Sequence, residues 1–523
     1  MTLLAAPVQA EVPRRGPTTA APTIPEPAPG EVHDADGHAP VPADMSPEAR
    51  PGTFDAGHFG ADPQYADKPY DPQAQLAIYG GKRGIPDAPR PPIEWGYPMY
   101  QGGDIGPGIT LFGEKNRARP QLLAFGDLRL GAAYNDNGAL DTAQMAARLN
   151  LNLDLRLTAT ERIHGFFRPL DRAEKGRQTR WEFGGNQRRL LGDTEGLLDM
   201  EPEALFFEGD LGQIAAGITG EYNRFDLPVS FGLMPLLFQN GVWMEDAILG
   251  GAVAVPAMNS PKFDISNMDV TFFGGFDRVT TRALREVNGA LDDQGAAVYG
   301  TAIFIERREA YIELGYGYTH DTRADALGDF SYHNVTAAWT QRWLGKLSNS
   351  VRVIANFGQD PGGPRRQTAD GWLLLVENSF ITSKPYTLIP YANLFVGHDQ
   401  PQSLARDFGS GGVLRNTGIN FETDGLTGFP KLDDTANDTY GGALGVEYLF
   451  ALNQQVVVEL AGLETFGPDN KPGRVAPGHQ FALGLRYQRP LTKRWIFRTD
   501  AILGAREHQD DLAGVRVEMR MKF

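Results

Sequence analysis

Ten consecutive residues, Arg148-Leu149-Asn150-Leu151-Asn152-Leu153-Asp154-Leu155-Arg156-Leu157, carry leucine at every odd position and a polar or charged residue at every even one. Successive side chains of a β-strand point to opposite faces. As a strand, this run puts all the leucines on one side and Arg148, Asn150, Asn152, Asp154 and Arg156 on the other. A helix would scatter both sets around its circumference. The same period returns in Asn349–Phe357 and in Gln480–Tyr487, so the chain from about residue 120 onward reads as a succession of two-faced strands.

Two architectures accept such strands: a soluble sandwich with one wet face, or a membrane barrel with one lipid face. A single soluble sandwich is too small for the length of chain involved, and large ones split into domains at linkers, of which none follows residue 120. Composition does not separate the two. With 41 % apolar and 22 % charged residues the chain looks globular, yet a barrel strand keeps every second side chain polar and looks the same. No run of eighteen apolar residues exists, which excludes a bundle of membrane helices. The absence of cysteine suits an exported protein and removes disulfides, zinc-thiolate sites and cysteine nucleophiles from consideration. A net charge of −16 argues against a nucleic-acid partner.

The connections favour the barrel. Tight ones at Thr158–Glu161, Glu306–Glu309, Leu344–Lys346, Thr382–Pro385, Ala451–Asn453 and Pro490–Lys493 alternate with long ones near 278–294, 319–329, 358–369, 398–438, 467–478 and 506–512. Short turns on the periplasmic side and long loops outside give this rhythm. The predicted fold class is all-β, a transmembrane antiparallel up-and-down barrel of about 18 strands, within 16 to 20. Strand centres near 166 and 182 count as separate strands in that reading. For all the tight turns to share one side, residues 219–245 then contribute no wall strand. Their apolar content makes an exposed loop costly, so they are expected to fold into the lumen. Arg224, Asp226, Glu245 and Asp246 would form the constriction. Here the chain resembles porins, in which an external loop folds inward and narrows the pore.

The last strand, Val515-Arg516-Val517-Glu518-Met519-Arg520-Met521-Lys522-Phe523, alternates to a terminal phenylalanine. It resembles the last strand of Gram-negative outer-membrane barrels. That resemblance implies an outer-membrane location and makes Phe523, Met521 and Met519 a signal for the barrel-assembly machinery. Glu203–Ile214 resembles the strand that precedes the inward loop of general porins, a resemblance that also admits a homotrimer. The aromatics Trp372, Tyr487, Trp495, Phe497 and Phe523 fall at outward positions near strand ends, as interfacial girdles do. Lipid and lipopolysaccharide are the expected surroundings.

The N-terminal region is of another kind. Residues 1–10 read as a signal-peptide remnant, 11–72 as a disordered proline-rich tether, 73–119 as an irregular segment packed on or inside the barrel, and 120–523 as the barrel. His33-Asp34-Ala35-Asp36-Gly37-His38 lies in the tether and reads as a solvated acidic patch; Asp433, Asp434 and Asp438 read as solvated loop residues. No metal or cofactor site is expected. The sequence holds no G-x-S-x-G elbow, H-E-x-x-H pair or phosphate-binding loop. Its charged rows, with Arg148, Asp154, Arg156, Arg486, Arg498 and Arg516 at their centre, read as pore lining. The expected function is a channel for passive diffusion of small polar or ionic solutes, not an enzyme. The rival readings are a barrel sheathing a partner protein and an outer-membrane enzyme.

Overall fold

The computed structural model describes residues 91–96, 107–138, 141–172, 177–185, 199–284, 295–323, 328–363, 365–450, 453–469 and 471–523. The expected signal remnant, the proline-rich tether and the His33–His38 run lie outside the described residues. The alternating segments form β1 (Gln121–Asp136), β2 (Asp141–Arg156), β3 (in two pieces, Arg162–Phe167 and Arg177–Gly185), β4 (Pro202–Asp210), β5 (Pro228–Phe238) and β6 (Met244–Ser260). Then come β7 (Ile265–Asp277), β8 (Ala296–Arg307), β9 (Ala310–Asp321), β10 (Tyr332–Trp343), β11 (Leu347–Phe357) and β12 (Asp370–Phe380). The wall is completed by β13 (Leu388–Gln400), β14 (Thr439–Phe450), β15 (Gln454–Thr465), β16 (Gln480–Pro490), β17 (Trp495–Arg506) and β18 (Leu512–Lys522).

Each wall strand pairs antiparallel with the next, and β18 returns to β1, with Ala513–Lys522 against Asp136–Asp127. The result is a closed 18-stranded barrel. Phe523 adds one more rung to the closing seam: its N–H donates to the Gly126 carbonyl at 3.0 Å, and the Gly126 N–H donates back at 2.9 Å. Closure leaves no unpaired sheet edge, the condition for placing strands in lipid. A short strand, Ile93–Gly96, continues the sheet along Gln121–Ala124 below that rung.

Alternation along the strands becomes inside and outside. The outward residues Leu130, Val353, Leu394, Leu444, Leu460, Leu483, Leu503 and Val515 are 40–64 % exposed. Their immediate neighbours Arg129, Arg352, Phe395, Ala443, Glu459, Ala482, Ile502 and Arg516 are at most 5 % exposed and face the lumen. Apolar groups outside and charges inside invert the order of a soluble protein, and only a lipid surrounding makes that order favourable.

The strand ends that the expected tight turns join meet at the end of the barrel that holds Gln121 and Phe523, and those that the long connections join meet at the other. Two expectations of strand identity are corrected. The stretch near 182 is not a separate wall position: both pieces of β3 pair with β2, Arg162–Phe167 against Leu151–Arg156 and Arg177–Gly185 against Thr142–Ala147. Beyond the first piece, Asp171 reaches the buried Arg148, 3.0 Å away. Residues 219–245 do supply a wall strand, β5, which pairs with β4 and β6. The two errors offset each other, so the count and the side of every turn come out right.

Candidate functional site

The lumen is crossed by two segments that meet. One is the distal half of the β5–β6 hairpin. β4 pairs with β5 only as far as Leu233, and β7 pairs with β6 only from Leu249. Met234–Phe238 and Met244–Ile248 are thus left with each other. Freed from the wall, this tip leans inward. Met234, Val242, Trp243, Met244 and Ile248 are fully buried, the Trp243 Nε1–H donates to Asn334 of β10 at 2.8 Å, and the Thr336 hydroxyl donates to Gln239 at 2.8 Å. The tip turns through Gln239, Asn240 and Gly241, all at positive φ. A Cβ on Gly241 would stand 2.6 Å from a carboxylate oxygen of Glu245, so a larger residue would displace that side chain as well as take a positive φ.

The other segment is the long connection 401–438. Its first leg runs over the lumenal face of β9 to β11: the Asn334 amide donates to the Gln402 carbonyl at 2.9 Å, the Tyr332 hydroxyl to the Leu404 carbonyl at 2.9 Å, and the Gln402 N–H to Asn356 at 2.8 Å. Ala405 and Arg406 then pair in parallel with Met244 and Glu245, which joins the two segments into one plug. Glu245 meets Arg415 at 2.8 Å and Arg406 at 3.3 Å. Burial lowers the Arg406 guanidinium to about 10, with Glu245 acting against that.

The returning leg packs Val413, Leu414, Phe421, Leu432 and Ala436 against Ile354, Leu373, Leu375, Phe395, Leu463 and Ile502 of the wall. A plug with its own apolar core is a folded element, not a solvated loop. Its polar anchors are equally specific. The Glu459 carboxylate accepts the Ile419 and Asn420 N–H groups at 2.8 and 2.9 Å and the Tyr391 hydroxyl at 2.5 Å. Glu422 meets Arg486 at 2.5 Å and Arg498 at 3.3 Å; Asp424 meets Arg516 at 2.6 Å and Arg129 at 3.9 Å. Burial alone would push both acids up. Arg486 beside Glu422 reverses this and holds that carboxyl at about 2, while Arg516 holds Asp424 far below the usual carboxylate range. Asp433 is half-buried, and burial and then its neighbour Asp434 push it up to about 6. Asp434 and Asp438 are buried, not solvated as expected.

The sequence-predicted residues therefore divide. Glu245 and Asp246 lie on the inward tip, and Asp246 accepts the Thr280 N–H at 2.7 Å. Arg224 and Asp226 do not belong to a constriction: they are exposed in the connection between a short helix, α1 (Leu211–Thr219), and β5, at the tight-turn end. Arg486, Arg498 and Arg516 hold the plug. Arg148 holds the β3 insertion. Only Asp154 and Arg156 of the expected pore lining belong to the side that the plug leaves open.

That side is the wall of β2 to β4. Its ion pairs are Arg156–Asp154 at 3.4 Å, Arg162–Glu208 at 2.8 Å and Arg168–Glu203 at 3.0 Å. Arg162, Glu203 and Glu208 keep 35, 37 and 41 % of their side-chain surface, against 5 % or less for Arg516, Asp424, Arg129 and Glu518. Water reaches the first set and not the second. Sequence reasoning missed Glu203, Glu208, Glu422, Asp424 and Glu459. Glu459 had a signal: a lone carboxylate in Val456-Val457-Val458-Glu459-Leu460, at a lumenal position.

A closed barrel with an apolar outer belt, a polar lumen, tight turns at one end and an inward plug is a membrane-spanning barrel of the outer-membrane kind. Among solved structures the chain is similar to Pseudomonas aeruginosa OccK5 (OpdH), at 9 % identity and a TM-score of 0.47 over 77 % of this chain and 98 % of that one. It is similar to P. aeruginosa OpdK with vanillate, at 12 % identity and a TM-score of 0.47 over 76 and 98 % of the two chains. Acinetobacter baumannii OccAB4 gives 13 % identity and a TM-score of 0.47 over 76 and 98 %. These are likenesses of fold alone. No protein-family model and no curated protein matches the sequence.

Proposed function

We propose that the protein is a passive outer-membrane channel for small polar or ionic solutes, narrowed by the plug that Met234–Ile248 and 401–438 build together. The observation that carries this reading is the partial solvation of Arg162, Glu203 and Glu208 beside a plug that buries Arg129, Asp424, Asp500, Arg516 and Glu518. A path lined by charge in a low-dielectric wall orders permeating solutes without covalent chemistry. The plug fills the bore that a sheathed partner protein would need, which weighs against that alternative. The acid–arginine pairs are spent on holding the plug, so they call for no catalytic role. The barrel closes within one chain, and a homotrimer would add only wall-to-wall packing. Phe523 is the residue we assign to recognition by the assembly machinery, with Met519 and Met521 beside it.

Single-channel recording in planar bilayers tests the reading. The folded protein should give discrete, ohmic conductance steps, and a variant with residues 410–434 replaced by a short glycine-serine linker should give larger ones. A folded, membrane-inserted barrel that passes no current in either form would overturn the channel assignment.

A further inference from the structure

We propose that the open side of the bore selects small zwitterions, of the size of an amino acid and with an ammonium and a carboxylate a few bonds apart, over plain anions and plain cations. This rests on the channel reading above and names its solute class. The basis is the way charge is distributed across two adjacent strands. Arg162, and Arg168 just beyond the first piece of β3, stand on one side; Glu208 and Glu203 stand on β4. Arg162 and Glu208 are register partners. Six residues further along the chain, past the end of that piece, Arg168 meets Glu203 at 3.0 Å, with Asp407 of the plug and Arg148 of β2 among the charges around that carboxylate. The path therefore carries a positive rail and a negative rail side by side, one strand spacing of about 4.8 Å apart.

Three consequences follow from that layout. Each guanidinium of the path has a carboxylate beside it, so the net field along the axis is weak. A plain anion is drawn by one rail and repelled by the other, and a plain cation meets the same balance reversed. A zwitterion turned across the rails gains from both, because its charge separation is close to theirs. Behind the plug, Arg129, Arg486, Arg498 and Arg516 are matched by Glu422, Asp424, Asp500 and Glu518, and the one added charge there, Arg520, lies 3.3 Å from Glu518, so this side adds little bias. Between the two rail pairs the wall is aromatic: the rings of His164 and Phe206 lie 5.6 Å apart, and the Arg168 guanidinium sits 5.3 Å over Phe166. The rings narrow the path without adding a carboxylate or guanidinium, which keeps a solute against the rails.

The test is swelling of phosphatidylcholine liposomes carrying the full-length protein, in L-alanine, in lactate and in alaninol, which differ by the missing ammonium or carboxylate. L-alanine should enter about fivefold faster than either, the size of one partly exposed ion pair, and the reversal potential in a KCl gradient should lie near zero. The E203Q/E208Q double variant should bring alanine down to the rate of lactate and move the reversal potential toward chloride. R162Q/R168Q should move it toward potassium. Lactate matching or outpacing alanine in the parent, or an alanine-to-lactate ratio unchanged in both variants, overturns the proposal while leaving a channel. Exclusion of all three solutes and of a neutral sugar by a folded barrel overturns the channel reading, and this proposal with it.

Discussion

The lumen contains the same chemistry twice. Around Asp424, the guanidiniums of Arg129 and Arg516 and the carboxylates of Asp500 and Glu518 are packed dry behind the plug, with Arg129 and Glu518 at 2.7 Å and Arg516 and Asp500 at 2.7 Å. Along β3 and β4, Arg162–Glu208 and Arg168–Glu203 are of similar length but wet. Distance does not distinguish the two regions; solvent does. A dry pair that loses one partner leaves a charge with no water to receive it, whereas a wet pair that breaks is rehydrated. The first region is structural and the second is free to exchange its partner for a passing solute.

The sharpest way to break that comparison is to remove one acid from each region. Asp424→Ala should cost about 3–5 kcal/mol and release the plug, read as a fall in the urea midpoint of the folded barrel together with larger conductance steps. An Asp424→Ala channel with parental midpoint and conductance would place that pair with the wet ones. The lipid face gives the next largest effect: Leu153→Arg, on the outward side of β2, should cost about 2–4 kcal/mol, measured by the same urea titration in lipid vesicles. Deleting Phe523 takes away the last rung of the seam and should slow the appearance of the heat-resistant folded band in electrophoresis while sparing the conductance of what assembles. Normal assembly kinetics would strip the residue of that role.

Acid should loosen the plug by a known route. Glu422 is held at about 2 against an ordinary 4.5, so its ionised pairing stabilises the plug fully above pH 4.5 and is lost as pH falls from there toward 2. Conductance should rise over that window in the parent, and in Glu422→Gln it should already be raised at neutral pH and change little. The smallest effect belongs to the wet region: Glu208→Ala should move stability by no more than about 1 kcal/mol. A loss comparable to that of Asp424→Ala would erase the difference between the regions.

What could be read from the sequence is what is local. The alternation of Arg148–Leu157 and the tight turns such as Leu344–Lys346 are set within a few residues, so the strands, their facing and the side on which the strands turn were legible. The inward tip was legible only in part. The apolar run Leu233–Phe238 and Trp243 pointed into the lumen correctly, yet β5 is a wall strand for its first half and leaves the wall at the end of its pairing with β4, Leu205 against Leu233. That end is fixed by another strand. It is also why Glu245 and Asp246 lie in the plug while Arg224 and Asp226, in the same predicted segment, lie at the opposite end of β5. The plug itself was hidden for a related reason. Glu422 and Asp424 carry no local mark in the sequence, and only strands far away in it bring Arg486, Arg498 and Arg516 to them.

The closing seam has a kinetic meaning. Arg129 and Glu518 are 389 residues apart in the chain, and bringing together the ends of so long a loop costs about 5 kcal/mol of entropy in an unstructured chain, the largest closure cost of any ladder in the wall. Asp424 touches Arg129 on one lip of that seam and Arg516 on the other. Before the lips meet, its receptor does not exist. Plug docking therefore acts as a proofreading step on closure: a barrel stalled ajar leaves the carboxylate undocked and the plug adrift, and a finished one is locked from within.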